Sequence, residues 1–265
     1  MKSKVVLLNL AVPLMLSTLL AQETTTRLES SPRHHEWVKV KQGEREVHAY
    51  LTFPEVSEKV TAVIVIHENM GLTDWVRTVA DGLAEAGYIA IAPDLLSGMA
   101  PNGGRTSDFA SRDAAREAIY NLPPDQVTAD LNAIFEYVAK LPAANGKVAV
   151  AGFCWGGAQT FRYATNRGDL AAAFVFYGTG PDSAAVSKIN CPVYGFYGGN
   201  DNRVNASIPK ITEWMKAAGK IYEPVIYEGA GHGFMRAGEQ ADATEANKKA
   251  RTDGWERWKN LLKKL

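Results

Sequence analysis

The residues best placed for covalent chemistry surround a cysteine, in the run Gly152-Phe153-Cys154-Trp155-Gly156-Gly157. The apolar residues 147–151 before it predict a buried strand, and the residues from Ala158 onward predict a helix. Glycines suit so abrupt a turn because they have no side chain to collide with neighbouring backbone. The Cys154 sulfur would then stand at a helix N-terminus, where amide dipoles favour thiolate. This pattern predicts a nucleophile turn; a glycine-rich turn with a core cysteine is the alternative.

An aspartate and a histidine follow two later predicted strands. Residues 191–197 predict a buried strand, after which a Gly-Gly turn precedes Asp201, and residues 222–227 predict a strand followed by a glycine-rich segment that holds His232. Alone, the first could be a turn residue and the second a structural histidine. Nucleophile, acid and histidine in this chain order are typical of α/β-hydrolases. Because each follows a strand, they are expected to meet at one edge of a parallel sheet.

A third acidic candidate, Glu68, comes directly after the apolar run 61–66 and His67. An acidic side chain at the carboxyl end of a buried strand lies where such sheets bind ligands, although a buried ion pair is the alternative. The backbone amides of Asn69 and Trp155 are candidates for an oxyanion hole, since one ends the early strand and the other follows the nucleophile.

Alternating strand and helix patterns position these residues. Segments 36–40 and 46–53 alternate in hydrophobicity and predict an antiparallel pair that turns near Gln42-Gly43. Residues 97–108, rich in Gly and Pro, predict an irregular excursion over the sheet. Buried strands are predicted at 61–66, 88–92, 147–151, 171–177, 191–197 and 222–227, and helices at 73–86, 112–122, 125–141, from 158 onward, 204–218 and 241–265. The alternation predicts a doubly wound, mostly parallel sheet between helices, the three-layer α/β/α architecture of the α/β-hydrolase fold.

Composition supports one domain, expected over residues 36–265. The chain has 265 residues, of which 46% are hydrophobic, with 29 basic and 29 acidic side chains. A net charge of zero gives no footprint for nucleic acid. Two cysteines are too few for a disulfide framework or a Cys-rich zinc site, and the adjacent His34 and His35 point different ways, so neither a metal nor a cofactor is expected.

The N-terminus has the pattern of a secretory signal peptide over residues 1–22. Lys2 and Lys4 precede an apolar segment that runs to Leu20, with Ala21 at the expected cleavage point. A retained membrane anchor is the alternative, but Pro13 and the short apolar span disfavour it. Residues 23–35 are expected to be a flexible lead-in. The mature protein is therefore predicted to be exported, to a periplasm, with no membrane association after the signal is removed.

Three segments together resemble the dienelactone hydrolase family, and the resemblance extends over essentially the whole chain after about residue 36. They are Gly152 to Gly157, Gly199-Asn200-Asp201 and Ala230-Gly231-His232-Gly233-Phe234. The resemblance implies an activity of the carboxymethylenebutenolidase type, with Cys154, Asp201 and His232 as the triad. It also implies that Glu68 pairs with the thiol or with an arginine and helps to form thiolate when substrate arrives.

The resemblance further implies a grip on a substrate carboxylate. The family's Arg-x-x-x-Tyr pair matches Arg116 and Tyr120, and its second carboxylate-binding arginine, four residues after the histidine, matches Arg236. Without the resemblance, the first two would be a solvated pair on one helix face. The chain departs from the family at His67, where well-known members have Gln, and in its signal peptide pattern.

The choice of cysteine narrows the substrate. A free thiol has a pKa of about 8.5, well below that of an alcohol, so thiolate tends to be expelled again from the tetrahedral intermediate of an alkyl ester. An enol ester or enol lactone has a better leaving group, so Cys154 favours such small activated molecules, cleaved through a thioester acyl-enzyme. With Arg116 and Arg236, a carboxylate-bearing substrate is expected. The protein is expected to be a monomer.

Three other functions fit parts of the pattern. A general carboxylesterase or thioesterase could use the same scaffold, and rates on neutral and charged substrates would separate it from a lactone hydrolase. A binding protein that lost turnover conflicts with the three intact triad residues. A redox role for Cys154 lacks the Cys-x-x-Cys motif that would support it.

Overall fold

The structure, a computed structural model, describes residues 28–265, which form one eight-stranded sheet. The strands are β1 (His35–Gln42), β2 (Arg45–Thr52), β3 (Val60–Ile66), β4 (Ile89–Pro93), β5 (Ala144–Phe153), β6 (Ala173–Phe176), β7 (Val193–Gly198) and β8 (Tyr222–Tyr227). Their order in the sheet is β1-β2-β4-β3-β5-β6-β7-β8. The first two strands are antiparallel to their neighbours and β3 to β8 are parallel, which confirms the predicted mostly parallel sheet.

Helices connect the strands and cover both faces of the sheet. They are α1 (Asp74–Glu85), α2 (Arg112–Tyr120), α3 (Pro124–Ala139), α4 (Trp155–Ala164), α5 (Ser183–Val186), α6 (Asn202–Asn205), α7 (Ile208–Ala217), α8 (Phe234–Ala237) and α9 (Glu245–Leu262). The sequence did not predict α5 and α8, because four residues are too few to show a helical period. No helix in the described part of the chain is long and apolar enough to cross a membrane.

Two helix boundaries differ from the predicted ones for local reasons. The helix predicted over 204–218 is divided into α6 and α7, with Pro209 in the first turn of α7. Proline has no N–H, and its ring would clash with the carbonyl of Asn205 in a continuous helix. The last helix begins at Glu245 because the Thr244 hydroxyl caps it, accepting a hydrogen bond from the Asn247 N–H at 3.2 Å.

The core lies on both faces of the sheet. Alternate residues of a strand point to opposite faces, and in β3 Ile64 and Ile66 pack on the side of α3, whereas Val63 and Val65 pack on the side of α1. Burial of each such side chain contributes roughly 1.5–3 kcal/mol. The three-layer α/β/α prediction is therefore confirmed. Glu68 lies two residues after the end of β3, so its backbone is positioned by a well-packed strand.

The strand order reverses between β3 and β5. In the sheet, β4, β2 and β1 lie on one side of β3, whereas β5 to β8 lie on its other side, and Ile66 of β3 pairs with Gly152 of β5. Open α/β sheets bind ligands at the carboxyl ends of strands at such a switch point. The residues after β3 and β5 consequently face each other across the crevice.

The predicted signal peptide, residues 1–22, lies outside the described residues, as does the first part of the lead-in predicted at 23–35. The described end of that segment differs from a flexible tail because it is attached to α1. Arg33 donates to the Asp81 carboxylate at 2.9 and 2.5 Å, and the Ser31 hydroxyl donates to it at 2.6 Å. Asp81 is buried, and a buried carboxylate requires such partners.

Candidate active site

Cys154 lies in the turn between β5 and α4, with a backbone φ of 57°, in the left-handed region. Residues other than glycine rarely adopt this conformation. The turn is tight, because a Cβ on Gly152 would collide with the backbone of Gly156, and one on Gly156 with the carbonyl of His67. The Cys154 N–H donates to the Phe176 carbonyl at 3.0 Å, which ties the turn to β6. The structure thus forms the predicted tight strand-to-helix turn, with a free, partly exposed Cys154 at the N-terminus of α4.

Asp201 and His232 are in direct contact. The distance from His232 Nδ1 to Asp201 Oδ2 is 2.5 Å. Asp201 is buried at the start of α6, where its other carboxylate oxygen accepts from the Val204 N–H at 3.4 Å. Because a carboxylate accepts at Nδ1, that nitrogen carries a proton, and Nε2 is the ring nitrogen left for the Cys154 thiol.

Backbone contacts join the loops that carry these two side chains. The Asn200 N–H donates to the Ala230 carbonyl at 2.9 Å, and the Asn200 side-chain amide donates to the Gly229 carbonyl at 2.9 Å. The Gly231 N–H donates to the Asn247 side chain on α9 at 2.9 Å. The relative positions of acid and histidine are therefore fixed by hydrogen bonds on both sides.

The pKa of His232 is raised from the ordinary 6.5 to about 9. The largest cause is its side-chain hydrogen bond with Cys154; partial burial acts in the opposite direction, and the hydrogen bond with Asp201 adds to the increase. The ring is therefore largely protonated at neutral pH. A protonated imidazole beside a cysteine sulfur stabilises thiolate.

Tyr177 is a neighbour of the site that the sequence reasoning missed. It directly follows β6, is fully buried, and has a backbone φ of 40°. Its ring lies edge-on to the His232 ring, with 5.1 Å between centroids, and contacts Phe234 in the same way at 5.4 Å. Tyr177 therefore supports one face of the histidine. The sequence signal that could have identified Tyr177 was its position directly after β6, since β6 lies between the strand that precedes Cys154 and the strand that precedes Asp201.

Glu68 forms an ion pair with Arg236, whose Nε donates to the Glu68 carboxylate at 2.8 Å. The glutamate side chain is 8% exposed and the arginine 39%. Of the two partners that the resemblance implies for Glu68, this conformation shows the arginine. In the described part of the chain, no group of three or more His, Cys, Asp or Glu side chains could hold a metal ion.

A cavity of about 490 Å³ opens beside the Glu68–Arg236 pair. Apolar side chains of the segment after β3, of α1 and of residues 106–109 contribute to its lining: Met70, Leu72, Trp75 and Phe109. Arg112, in the first turn of α2, also lines it. Glu68, Asp74 and Glu239 line it together with Arg112 and Arg236, so the cavity presents apolar surface and charges of both signs, and its lining does not include Cys154 or His232.

The other two predicted binding residues lie further along α2. Arg116 is 52% exposed and pairs with Asp113 at 3.0 Å; it is not among the α2 residues that line the cavity, which are Arg112 and Ala115. Tyr120 is exposed, and its hydroxyl accepts a hydrogen bond at 3.0 Å from the side-chain amide of Asn69, which directly follows Glu68. The structure therefore brings Tyr120 and Arg236 to the site and leaves Arg116 facing solvent.

Comparisons with known proteins identify the family of the chain. The model of the dienelactone hydrolase family matches residues 47–265. The chain is 33% identical over 222 residues to a Salmonella typhimurium protein named "Putative carboxymethylenebutenolidase", covering 79% of each chain. It is 29% identical over 180 residues to "Carboxymethylenebutenolidase" of Pseudomonas putida, covering 66% of this chain and 75% of that one. A Klebsiella pneumoniae crystal structure named "Putative Dienelactone Hydrolase" superposes with a TM-score of 0.77 at 26% identity, covering 88% of this chain and 99% of that chain.

Proposed function

Because the chain belongs to the dienelactone hydrolase family and is a lactone or ester hydrolase, we propose that it cleaves an activated ester or enol lactone through a triad of Cys154, His232 and Asp201. The observation that carries this proposal is the contact of His232 Nδ1 with the Asp201 carboxylate at 2.5 Å, which leaves Nε2 for the Cys154 thiol; interaction with Cys154 also raises the pKa of His232. These are the contacts that an activated cysteine nucleophile requires.

Each triad member has a defined part in the reaction. The Cys154 thiolate attacks the carbonyl carbon, and the carbonyl electrons move to oxygen, where the backbone amides of Asn69 and Trp155 would stabilise the charge. Collapse of the intermediate expels the enolate, which takes the proton from His232 and leaves a thioester. His232 then accepts a proton from water, which attacks the thioester and releases Cys154.

Glu68 would couple substrate charge to the nucleophile. Its carboxylate is balanced by Arg236 in the present conformation. A substrate carboxylate competes for that arginine, and the released Glu68 carboxylate can then act as a base that accepts the proton of the Cys154 thiol. The ion pair between the two side chains supports this assignment, which the family resemblance implies.

Two arginines of α2, Arg112 and Arg116, are candidates for binding the substrate carboxylate, and both should be tested. The resemblance assigns carboxylate binding to Arg116, with Tyr120, whereas Arg112 lines the cavity. Loss of one charge-assisted contact costs roughly 1.5–3 kcal/mol, a drop in kcat/KM of about one to two orders of magnitude. We expect the wild-type protein to prefer a carboxylate-bearing enol lactone over its neutral methyl ester, and Arg236→Ala and one of the two α2 variants to lose that preference.

The measurement is kcat/KM on both lactones for Arg112→Ala, Arg116→Ala and Arg236→Ala. The two α2 variants are matched controls, since both remove an exposed arginine from the same helix. Equal rates of the wild-type protein on the two lactones would refute carboxylate recognition. That result would favour a general carboxylesterase or thioesterase, which the apolar part of the cavity lining also suits.

We also propose that the protein is exported, on the basis of Lys2, Lys4 and the apolar segment that follows them. The mature chain should begin near Gln22. N-terminal sequencing of the protein from the periplasmic fraction of its native host tests this, and recovery of a chain that still starts at Met1 from the cytoplasm would contradict it.

A further inference from the structure

His67 is a fully buried histidine whose two ring nitrogens are both hydrogen-bonded. Nε2 accepts from the Leu95 N–H at 3.3 Å, and Nδ1 lies 2.8 Å from the Glu68 carbonyl oxygen. Because Nε2 accepts from an N–H, the ring proton is on Nδ1, which donates to the carbonyl. Burial lowers the pKa of His67, so the ring stays neutral and this tautomer is maintained. The His67 side chain therefore links the loop after β4 to the loop after β3 by two hydrogen bonds in one fixed orientation.

The hydrogen bond to Glu68 acts on a particular peptide group. The Glu68 carbonyl and the Asn69 N–H belong to the same planar unit, so fixing the oxygen also fixes the direction of the N–H. That N–H is one of the two proposed oxyanion donors. Since an oxyanion donor works only at about 2.7–3.1 Å from the developing charge, a rotation of this plane would weaken it.

The same ring also contacts the segment that supplies the second donor. His67 and Trp155 are stacked, with 5.6 Å between ring centroids and 11° between planes. Trp155 is the first residue of α4 and directly follows the nucleophile. One buried side chain thus contacts both segments that carry the proposed oxyanion donors.

We propose that His67 is a positioning residue that orients the 68–69 peptide group as an oxyanion donor. The proposal rests on the proposed function, because it presumes attack by Cys154 on a carbonyl. It explains why His can stand where well-known members of the family have Gln. A glutamine amide has an acceptor oxygen and a donor NH₂ group, and can therefore make both of the hydrogen bonds that neutral His67 makes.

Two substitutions separate the hydrogen bonds from the ring. His67→Gln can retain both hydrogen bonds but removes the stacked ring, whereas His67→Phe retains a ring against Trp155 but has no polar atom. We expect kcat within about threefold of wild type for His67→Gln and a 10- to 100-fold lower kcat for His67→Phe, with KM within a few fold in both. Removing a whole oxyanion donor costs about 10²–10³-fold, and a misdirected donor should cost less.

A trifluoromethyl ketone adds a readout that a structural role would not move. Cys154 thiolate adds to its carbonyl carbon, the carbonyl electrons move to oxygen, and the adduct carries an oxyanion. Its affinity should fall in parallel with kcat in His67→Phe, while the affinity of the carboxylate product should not. Circular dichroism and thermal unfolding establish that each variant is folded.

Each outcome decides the proposal. Wild-type kcat in folded His67→Phe would overturn it, as would a tenfold or larger loss in folded His67→Gln, which keeps the test decisive if the phenylalanine variant does not fold. Failure of the proposed function is distinguishable, since it would show as turnover by a Cys154→Ala variant whatever the behaviour of His67.

Discussion

Replacing Cys154 with alanine should lower kcat by about 10⁴-fold or more on every ester and lactone substrate. Without the sulfur no thioester can form, and the amides and binding contacts that remain account for only a small part of the rate. Steady-state hydrolysis of an enol lactone and of a neutral aryl acetate measures the effect. Turnover near the wild-type rate would remove Cys154 from the mechanism.

The chain provides its own control in Cys191. This second thiol is free and buried, and precedes the amino end of β7, whereas Cys154 follows the carboxyl end of β5. Burial raises the pKa of the Cys191 thiol to about 11, so it is a poor nucleophile at neutral pH. Cys191→Ala should keep most of the activity, and iodoacetamide should label native wild-type protein once, at Cys154.

Asp201→Asn should lower kcat by roughly 10²–10⁴-fold while leaving the fold intact. Asparagine is as good an N-cap as aspartate, so the start of α6 is preserved. An amide can, however, donate to His232 Nδ1 and stabilise the wrong tautomer. Asp182→Asn is a matched control, because Asp182 caps α5 through the Ala185 N–H at 2.9 Å, and it should leave kcat unchanged.

The pKa of His232 supplies a second readout for the same variant. A histidine with a folded-state pKa of about 9 and an ordinary pKa of 6.5 contributes stability that is full below pH 6.5 and is lost as the pH rises through 9. Asp201→Asn should lower the folded-state pKa and shrink this window, and should slow alkylation of Cys154 at pH 7. An unchanged alkylation rate together with wild-type kcat would show that Asp201 does not act through the histidine.

The sequence predicted the fold and the placement of Cys154, Asp201 and His232 at one edge of the sheet, because local signals specify both. Glycines at 152 and 156 indicate a tight turn, because only residues without a side chain allow the backbone to pack so closely there. Continuous apolar runs indicate buried parallel strands. Once a strand is placed, its carboxyl end is placed too. Cys154, Asp201 and His232 each follow a strand, so their placement at the same edge of the sheet could be predicted.

Side-chain partners were less accessible to sequence reasoning because they depend on how elements pack. The spacing of Arg116 and Tyr120 gives a shared helix face, but not which residues of α2 border the cavity, and the structure places Arg112 and Ala115 there. Likewise, the resemblance implies the thiol or an arginine as the partner of Glu68, but the sequence does not show that the partner is Arg236, 168 positions away. Such contacts arise only when separate loops are brought to one sheet edge.

The left-handed residues at the carboxyl edge have a consequence for evolution and engineering of this protein. Cys154 and Tyr177, with φ of 57° and 40°, each hold a conformation that costs about 1–3 kcal/mol. Domains of this kind retain only about 5–15 kcal/mol of net stability, so the rest of the fold must offset a considerable cost at these two positions. Glycine at either one would relieve it, but would also remove the nucleophile or the support of His232. Substitutions that raise thermal stability are therefore expected far from this edge, because relieving the strain at these two positions would lower turnover.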